Sequence, residues 1–571
     1  MSSSEKGNAL AVDHGEWLGH PKGLFILFFT EMWERFSYYG MRAILVLFIV
    51  SSVAEGGLGW TTAEALSLYG FYTMFVYLMS IPGGWLADNF LGQKKSVMLG
   101  GALLVVGHGV MAIPGMLAFY SALVLIVLGV GCLKPNISTM VGGLYKQGDP
   151  RRDQGFTIFY IGINVGAFLS GILVAVVADA YGWHAGFGLA GIGMLLGQLL
   201  FIYGQKYLVG VGDFVPAEKV KDKSGVHDKP LTKIEKDRIV VLLISFLIVV
   251  VFWGAFEQAG GLMNIYAQYK TDRFIGLFNY TIPAGVFQSV NSFYIMVFGM
   301  VVAGFWANRA LKGKETSTLL KMGIGTIIMG IGFLFMSAAT LETEASGDYK
   351  SGMYWLLLAY LFHTIGELCV SPTALSFITK LAPVKYASLM MGIYFAATGV
   401  GNKLAASLGE AAQSEPTKVE ISYSELMEIA PNFQDEDIDL GYLTVEAVVQ
   451  KQGDELIATG SGTAIKPLLT FVEGDSKHLK SEVMSVAEDF NNEIGLIFSL
   501  NPITEEEGVA EEITENTNFE GTLLVREVQN NNELRIFTII AGFSIAFGLL
   551  LLVFFKKLKA LTHNAEDVVV E

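Results

Sequence analysis

The sequence predicts an all-α membrane protein with twelve transmembrane helices in two six-helix halves and a polar extracytoplasmic insert between helices 11 and 12. Three observations carry this. Only 16% of the 571 residues are charged and 52% are hydrophobic, against roughly 25% charged in soluble domains. Apolar runs of about 18 residues or more recur along the chain, each long enough to cross a hydrocarbon core of about 30 Å. The charge is also segregated: residues 413–534 hold 26 Asp and Glu against 6 Lys and Arg, a net −20 in a chain of net −16, so the rest is net +4.

The twelve spans are predicted near 23–50, 65–87, 97–114, 117–140, 155–178, 185–208, 238–263, 284–307, 318–340, 352–379, 387–411 and 535–556. Loops on one side carry Lys94 and Lys95, Lys146 with Arg151 and Arg152, the basic residues from Lys206 to Arg238, Arg309 to Lys321, Lys380 with Lys385, and Lys556 to Lys559. Those on the other side hold little beyond Lys270, Arg273 and Lys350. Basic loops stay cytoplasmic, so both termini are expected in the cytoplasm of a multi-pass protein of the plasma (inner) membrane. The first twenty residues are polar and no cleavable signal peptide is expected.

The resulting organisation is an N-terminal six-helix bundle over 1–208, a cytoplasmic linker over 209–237 and helices 7–11 over 238–412. The acidic insert follows over 413–534, then helix 12 with a cytoplasmic tail over 535–571. Gly84-Trp85-Leu86-Ala87-Asp88-Asn89 echoes Gly304-Phe305-Trp306-Ala307-Asn308-Arg309, at the place where a parallel repeat of the halves would put it. The insert is too long for a plain loop, and its apolar clusters Tyr442-Leu443-Thr444-Val445 and Ile494 to Phe498 predict a small folded unit. Cys132 and Cys369 lie inside apolar runs, so buried free thiols are expected and no disulfide framework.

Charge in the middle of a membrane helix costs roughly 3 kcal/mol on insertion scales. Helix 1 carries Glu31, Glu34, Arg35 and Arg42. At about 100° per residue, Glu31, Arg35, Tyr38 and Arg42 fall within about 60° of one another. Glu34 and Tyr39 edge that stripe; the opposite face reads Phe29, Phe36, Ile44 and Phe48, set for lipid or protein. Lys134, Glu257 and Glu367 sit deep in helices 4, 7 and 10. Static ion pairs are the bland reading, but buried pairs are poor stabilisers beside apolar packing, and a conduction pathway is the better default. If all seven groups line one cavity, four carboxylates face three cations. One carboxylate is then expected to hold a proton part of the time. Tyr38, Tyr39, Tyr77, Asn164, Gln288, Asn291 and Ser371 are candidate polar lining. His108 and His363 read as satisfied core residues, His363 with some extra weight because it stands one turn before Glu367.

Glu31-Met32-Trp33-Glu34-Arg35-Phe36-Ser37-Tyr38-Tyr39-Gly40 resembles the ExxERFxYYG signature of the proton-dependent oligopeptide transporter family, and residues 83–95 resemble the loop 2–3 signature of the major facilitator superfamily. Leu133-Lys134-Pro135-Asn136, Phe159 to Gly166, Phe252-Trp253 with Glu257-Gln258, and Gly366-Glu367-Leu368 with Ser371-Pro372 resemble further motifs of the same family, in order. The resemblance implies a major facilitator fold and a proton-coupled symporter importing di- and tripeptides by alternating access. It implies proton coupling at Glu31, Glu34, Arg35 and Glu257. It also implies a peptide site of Tyr38, Tyr39, Arg42, Tyr77, Lys134, Asn164, Asn291, Glu367 and Ser371. Within that site Arg42 and Lys134 would draw the peptide carboxylate, and Glu257 would pair with Lys134 when the site is empty. Glu367 would hold the amino group, helped by Asn164 and Asn291.

Three features depart from the family pattern. The linker is too short and polar for the two extra helices of many bacterial relatives, helix 11 reads Tyr394-Phe395 in place of Trp-Phe, and Gly70 stands where animal members have a histidine. No catalytic residue, metal or cofactor is expected; the proton is the coupling ion, the bilayer and the peptide are the partners, and no nucleic acid is. The alternatives are proton-coupled transport of nitrate, an organic anion or a peptide-like drug, or a receptor acting through 413–534, whose own partner the sequence does not identify. An enzyme is not expected, because no nucleophile–base pair, metal spacing or phosphate loop stands out.

Overall fold

The computed structural model describes residues 15–51, 55–146, 149, 151–214, 231–346, 350–383, 386–413, 417–424, 443–452, 455–460, 463–467, 493–502, 517–525, 532–563 and 565. Twelve long helices run through them. The first six are α1 (Lys22–Val50), α2 (Thr62–Leu91), α3 (Gln93–Met111), α4 (Met116–Gly143), α5 (Arg151–Tyr181) and α6 (Trp183–Tyr207). The second six are α7 (Lys233–Tyr269), α8 (Ala284–Leu311), α9 (Thr318–Ala345), α10 (Met353–Leu381), α11 (Ala387–Glu410) and α12 (Glu533–Leu561). Among the described residues nine of these are long and apolar enough to cross a membrane; α1, α3 and α11, of 29, 19 and 24 residues, fall outside that set. In α1 the reason is charge: Lys22, Glu31, Glu34, Arg35 and Arg42 all lie on it.

Local sequence sets where the helices start and bend. Thr61 with Glu64 and Thr232 with Glu235 each form a reciprocal capping box, at α2 and α7. The second box starts α7 at Lys233, so the predicted linker gives up its last residues to a helix; its stretch 215–230 lies outside the described residues. Pro135 in α4 and Pro372 in α10 each remove one rung of the backbone ladder, beside Lys134 and Ser371. Within α7 the α-helical segment ends at Phe256, Glu257–Ala259 tighten into a single 3-10 turn, and an α-helix resumes at Leu262. The predicted span ended at 263; the helix runs on to Tyr269 because Leu262–Tyr269 contains no charge and is buried through most of its length.

The halves are α1–α6 and α7–α12. Within them α1 packs on α5 and α6, α3 on α4, α7 on α11 and α9 on α10 and α12. The expected lipid or protein face of α1 meets protein at Phe36, Ile44 and Phe48, which are buried, with Phe48 edge-on to Phe187 of α6 at 5.3 Å; Phe29 on the same face is exposed. Val50, the start of α2, Glu410 and Glu533 mark one end of the bundle, called here the sheet end. There the halves join through the first turns of α2 on the last turns of α11, α5 on α8 and α1 on the second segment of α7; α2 and α11 also touch nearer the other end, at Ile81 and Gly392. Leu66 is buried in this seal, and the Asn264 side-chain amide donates to the Ala43 carbonyl at 2.9 Å. Both cysteines are buried free thiols.

The all-α expectation needs one correction. Between α11 and α12 the chain forms a six-stranded antiparallel sheet from β1 (Thr417–Ser422), β2 (Leu443–Gln452), β3 (Glu455–Gly460), β4 (Thr463–Pro467), β5 (Glu493–Pro502) and β6 (Asn518–Val525). Its spatial order is β4-β3-β2-β5-β6-β1. The two apolar clusters read from the sequence fall on β2 and β5, which pair at the centre with Leu496 opposite Ala447 and Phe498 opposite Val445. Alternating residues of β-branched and apolar type, with polar ones between, suit a pleated strand better than a helix.

Candidate functional site

The charged stripe of α1 is buried: Glu31, Glu34 and Arg35 are each at most 3% exposed and Arg42 is 8% exposed. Arg35 bridges the two acids of its own helix, with Nε 3.1 Å from Glu31 Oε1 and in contact with Glu34 Oε2. Its guanidinium lies 5.4 Å from the Tyr38 ring centre and 5.8 Å from that of Tyr39. Lys134 of α4 faces Glu31, Glu34, Arg35 and Tyr39, and its ammonium sits 3.9 Å above the Tyr77 ring of α2. Three orphaned polar atoms, Glu31 Oε2, Glu34 Oε1 and Arg35 Nη2, have no hydrogen-bond partner among the described residues. Buried polar atoms left unpaired in this way are costly and call for an explanation.

Arg42 reaches across to the other half. Its Nη2 lies 2.7 Å from Glu257 Oε2 and its Nη1 donates to Oε1 at 3.4 Å, with Glu257 3% exposed at the break in α7. This corrects the pairing implied by the family pattern, in which Glu257 answers Lys134. Arg42 takes Glu257 because the break in α7 turns the carboxylate toward α1, while Lys134 lies over Tyr77 and forms no ion pair among the described residues. Gly260 makes the approach possible: a Cβ there would collide with the Tyr69 hydroxyl and stand 2.7 Å from Arg42 Nη2.

The third group is in the second half. Glu367 of α10 accepts from the Asn291 side-chain amide of α8 at 2.9 Å, and the same amide reaches Thr364 Oγ1 at 3.0 Å. Tyr160 and Tyr394 lie within electrostatic reach of Glu367. Tyr77 is within such reach of Arg35, Arg42, Glu257 and Glu367. Tyr77 thus stands within electrostatic reach of four of the seven buried charges, and Lys134, against its ring, faces the remaining two, Glu31 and Glu34. Asn164 is buried and donates to its own helix at the Tyr160 carbonyl, 3.0 Å; Gln288 is spent on the Ala259 carbonyl and Tyr360. Ser371 is half-buried one turn from Glu367. His363 points away from any relay: it stacks on Phe333 at 4.5 Å, and neither ring nitrogen has a partner among the described residues. His108 is likewise buried without a partner among them. Sequence reasoning missed Tyr69 and Tyr72, which bring two buried hydroxyls to the same region, and Lys403, a lysine inside α11.

A bundle of membrane helices in two halves around a shared, buried and partly unpaired set of charges defines a multi-pass membrane transporter. A family model described as POT family matches residues 94–212 and 217–423. The chain is 36% identical to an uncharacterised transporter of Bacillus subtilis over 427 residues, 66% of this chain and 85% of that one. It is 34% identical to a peptide transporter of Yersinia enterocolitica (69% and 88% covered) and 33% identical to a di-/tripeptide transporter of Lactococcus lactis (69% and 90%). A crystal structure of a peptide transporter POT in complex with sulfate is similar at TM-score 0.69 and 28% identity, covering 96% of this chain and 97% of that one; a variant of peptide transporter POT with alafosfalin matches equally. The chain belongs to the POT family. The matched residues include Lys134, Asn164, Glu257, Asn291, Glu367 and Ser371; the stripe of α1 precedes them and rests on its own geometry.

Removing one partner of a buried pair leaves the other uncompensated, at a cost of about 3–5 kcal/mol. Glu257→Gln is thus expected to lower the thermal midpoint of the purified protein, and Gly260→Ala to do so by displacing Arg42. Differential scanning fluorimetry in detergent checks both; an unchanged midpoint for Glu257→Gln would contradict the buried lock.

Proposed function

We propose that the protein is a proton-coupled symporter that imports di- and tripeptides by alternating access through twelve transmembrane helices, with both termini in the cytoplasm and the sheet end outside. The observation that carries this reading is the polarity of the cavity. The cations Lys134 and Arg42 lie on helices of the first half and the Asn291-held carboxylate of Glu367 on a helix of the second, with Tyr77 against Lys134 and within electrostatic reach of Arg42 and Glu367. A zwitterionic peptide needs cations for its carboxylate and an acid for its amino group, whereas a simple anion has no use for Glu367. Membership of the POT family, with peptide transporters among the similar proteins, supports the same reading.

In this scheme Tyr38, Tyr39, Tyr77, Asn164 and Ser371 line the peptide site, and Glu31, Glu34, Arg35 and Glu257 couple the proton. A proton on Glu31 or Glu34 weakens the hold on Arg35. A peptide carboxylate at Arg42 competes with Glu257, which loosens the seal at the sheet end. No cofactor takes part. Each proton supplies about 1.4 kcal/mol per pH unit and about 2.3 kcal/mol per 100 mV. A tenfold peptide gradient costs about 1.4 kcal/mol, so one proton per peptide suffices for accumulation. A cargo that extends to peptide-like compounds is the second reading, favoured by the alafosfalin complex of a similar transporter.

Proteoliposomes with an imposed inward proton gradient are expected to accumulate radiolabelled di-alanine well above those without one; equal uptake in the two sinks the coupling. Glu31→Gln or Glu34→Gln is expected to abolish gradient-driven uptake while counterflow exchange persists in part. Loss of both activities together would remove these acids from proton coupling and give them a role in folding or binding. Glu367→Gln is expected to raise the KM for di-alanine more than tenfold and to leave KM nearly unchanged for an analogue lacking the amino group.

A further inference from the structure

Lys403 is a charge that the peptide site does not use. It stands in the apolar run of α11, where a cation is expensive unless paired or given a task. Its ammonium is 2.7 Å from Glu410 Oε1, two turns further along the same helix. It is also 3.4 Å from Ser67 Oγ and 4.3 Å above the Phe71 ring, both on α2 of the opposite half. The lysine stem crosses α2 at Gly70, where a Cβ would collide with the Ala406 side chain and meet Lys403 Cδ at 3.1 Å. Gly70 thus leaves a notch in α2 that the lysine chain fills, and the charge emerges on the far side against Ser67 and Phe71.

These contacts lie in the seal at the sheet end. Leu66, one residue before Ser67, is 1% exposed, and Cβ positions at Gly261 and Gly409 stand 3.0 and 2.9 Å from its methyl groups. The α2–α11 contact is one of the surfaces that must part if the cavity is to open at this end. A lysine that belongs to one half and spends its charge on the other loses Ser67 and Phe71 on opening, and keeps Glu410, which travels with it. Its interactions are therefore differential between the two states, as any element that biases such an equilibrium must be.

We propose that Lys403, oriented by Glu410 and seated in the Gly70 notch, is a second latch that holds α2 and α11 closed at the sheet end, separate from the Arg42–Glu257 pair. The proposal rests on the alternating-access reading, and its test measures the seal directly, without transport and without regard to which side of the membrane the sheet end faces. Spin labels at Tyr181 and Leu277, 79% and 86% exposed at the sheet end of α5 and after α7, report the separation of the halves in nanodiscs. Lys403→Met keeps the stem in the notch and removes the charge. It is expected to enlarge the population of long Tyr181–Leu277 distances about two- to five-fold, the range for a partly exposed ion pair, and Glu410→Gln to do so to a smaller extent. Lys403→Arg is expected to keep the parent distribution. As a second measurement, a cysteine replacing Leu66, in a background with Cys132 and Cys369 changed to alanine, is expected to react with maleimide faster in Lys403→Met by a similar factor. Unchanged distances and unchanged labelling in Lys403→Met overturn the latch, even if uptake falls; failure of gradient-driven uptake with the latch result intact overturns only the transport reading.

Discussion

Buried charge inside a low-dielectric bundle is the constraint on which the rest of this structure depends. Four ionisable side chains lie on one helix, α1, within three turns and almost fully out of water. Desolvation makes each of them costly unless an opposite charge or a hydrogen-bond donor compensates it. Two solutions are visible. Arg35 is neutralised from within its own helix by Glu31 and Glu34, leaving one acid in excess that Lys134 faces. Arg42 has no acid on α1 to answer it and takes Glu257 from the other half. The first solution can persist whatever the halves do. The second exists only while they touch, so the charge state of the cavity and the closure of the sheet end are one variable.

The irregularities of the helices follow from the same demand. Broken or kinked backbone is tolerated at membrane depth where it lines a cavity. The chain places its interruptions beside the charges: Pro135 after Lys134, Pro372 after Ser371, and the 3-10 turn of α7 at Glu257 itself. The break at Glu257–Ala259 turns the carboxylate toward Arg42, and Gly260 then lets α7 approach Tyr69 and Arg42 more closely than any other residue could.

Much of this could be read in the residues, and what could not was spatial. The spans emerged to within five residues at every start because long apolar runs are a strong signal. The start of α7 slipped although Thr232 and Glu235 spell out a capping box; the charges around them drew that stretch into the linker. Each buried charge of the site was legible, since any such residue in an apolar helix asks for an explanation. Which acid answers which cation was not, because that depends on how far the break in α7 rotates Glu257, and no spacing along one helix encodes it. The strands of the insert were visible only as apolar clusters, since they are short and residues such as Thr444, Glu446, Gln450, Gly495 and Ser499 interrupt their hydrophobic runs. Lys403 was open to the same rule as Lys134; its role needed the empty side of Gly70, a property of two helices together.

The two ends of a peptide and the two ion pairs of the empty site make competing claims on the same atoms. Arg42 holds Glu257, and on the proposed reading a carboxylate from the cargo would replace it; Arg35 holds Glu31 and Glu34 only as firmly as their ionisation allows. On the proposed scheme, a cargo carboxylate at Arg42 would release Glu257 as an uncompensated buried acid unless a proton reaches it, so electrostatics would favour taking up cargo and proton together. What remains for a latch such as Lys403 is to set how often the seal parts, because its contacts with α2 touch neither the peptide site nor the proton-bearing acids. Affinity and coupling can then be tuned on α1, α7 and α10 while the resting balance of the two states is tuned independently on α11.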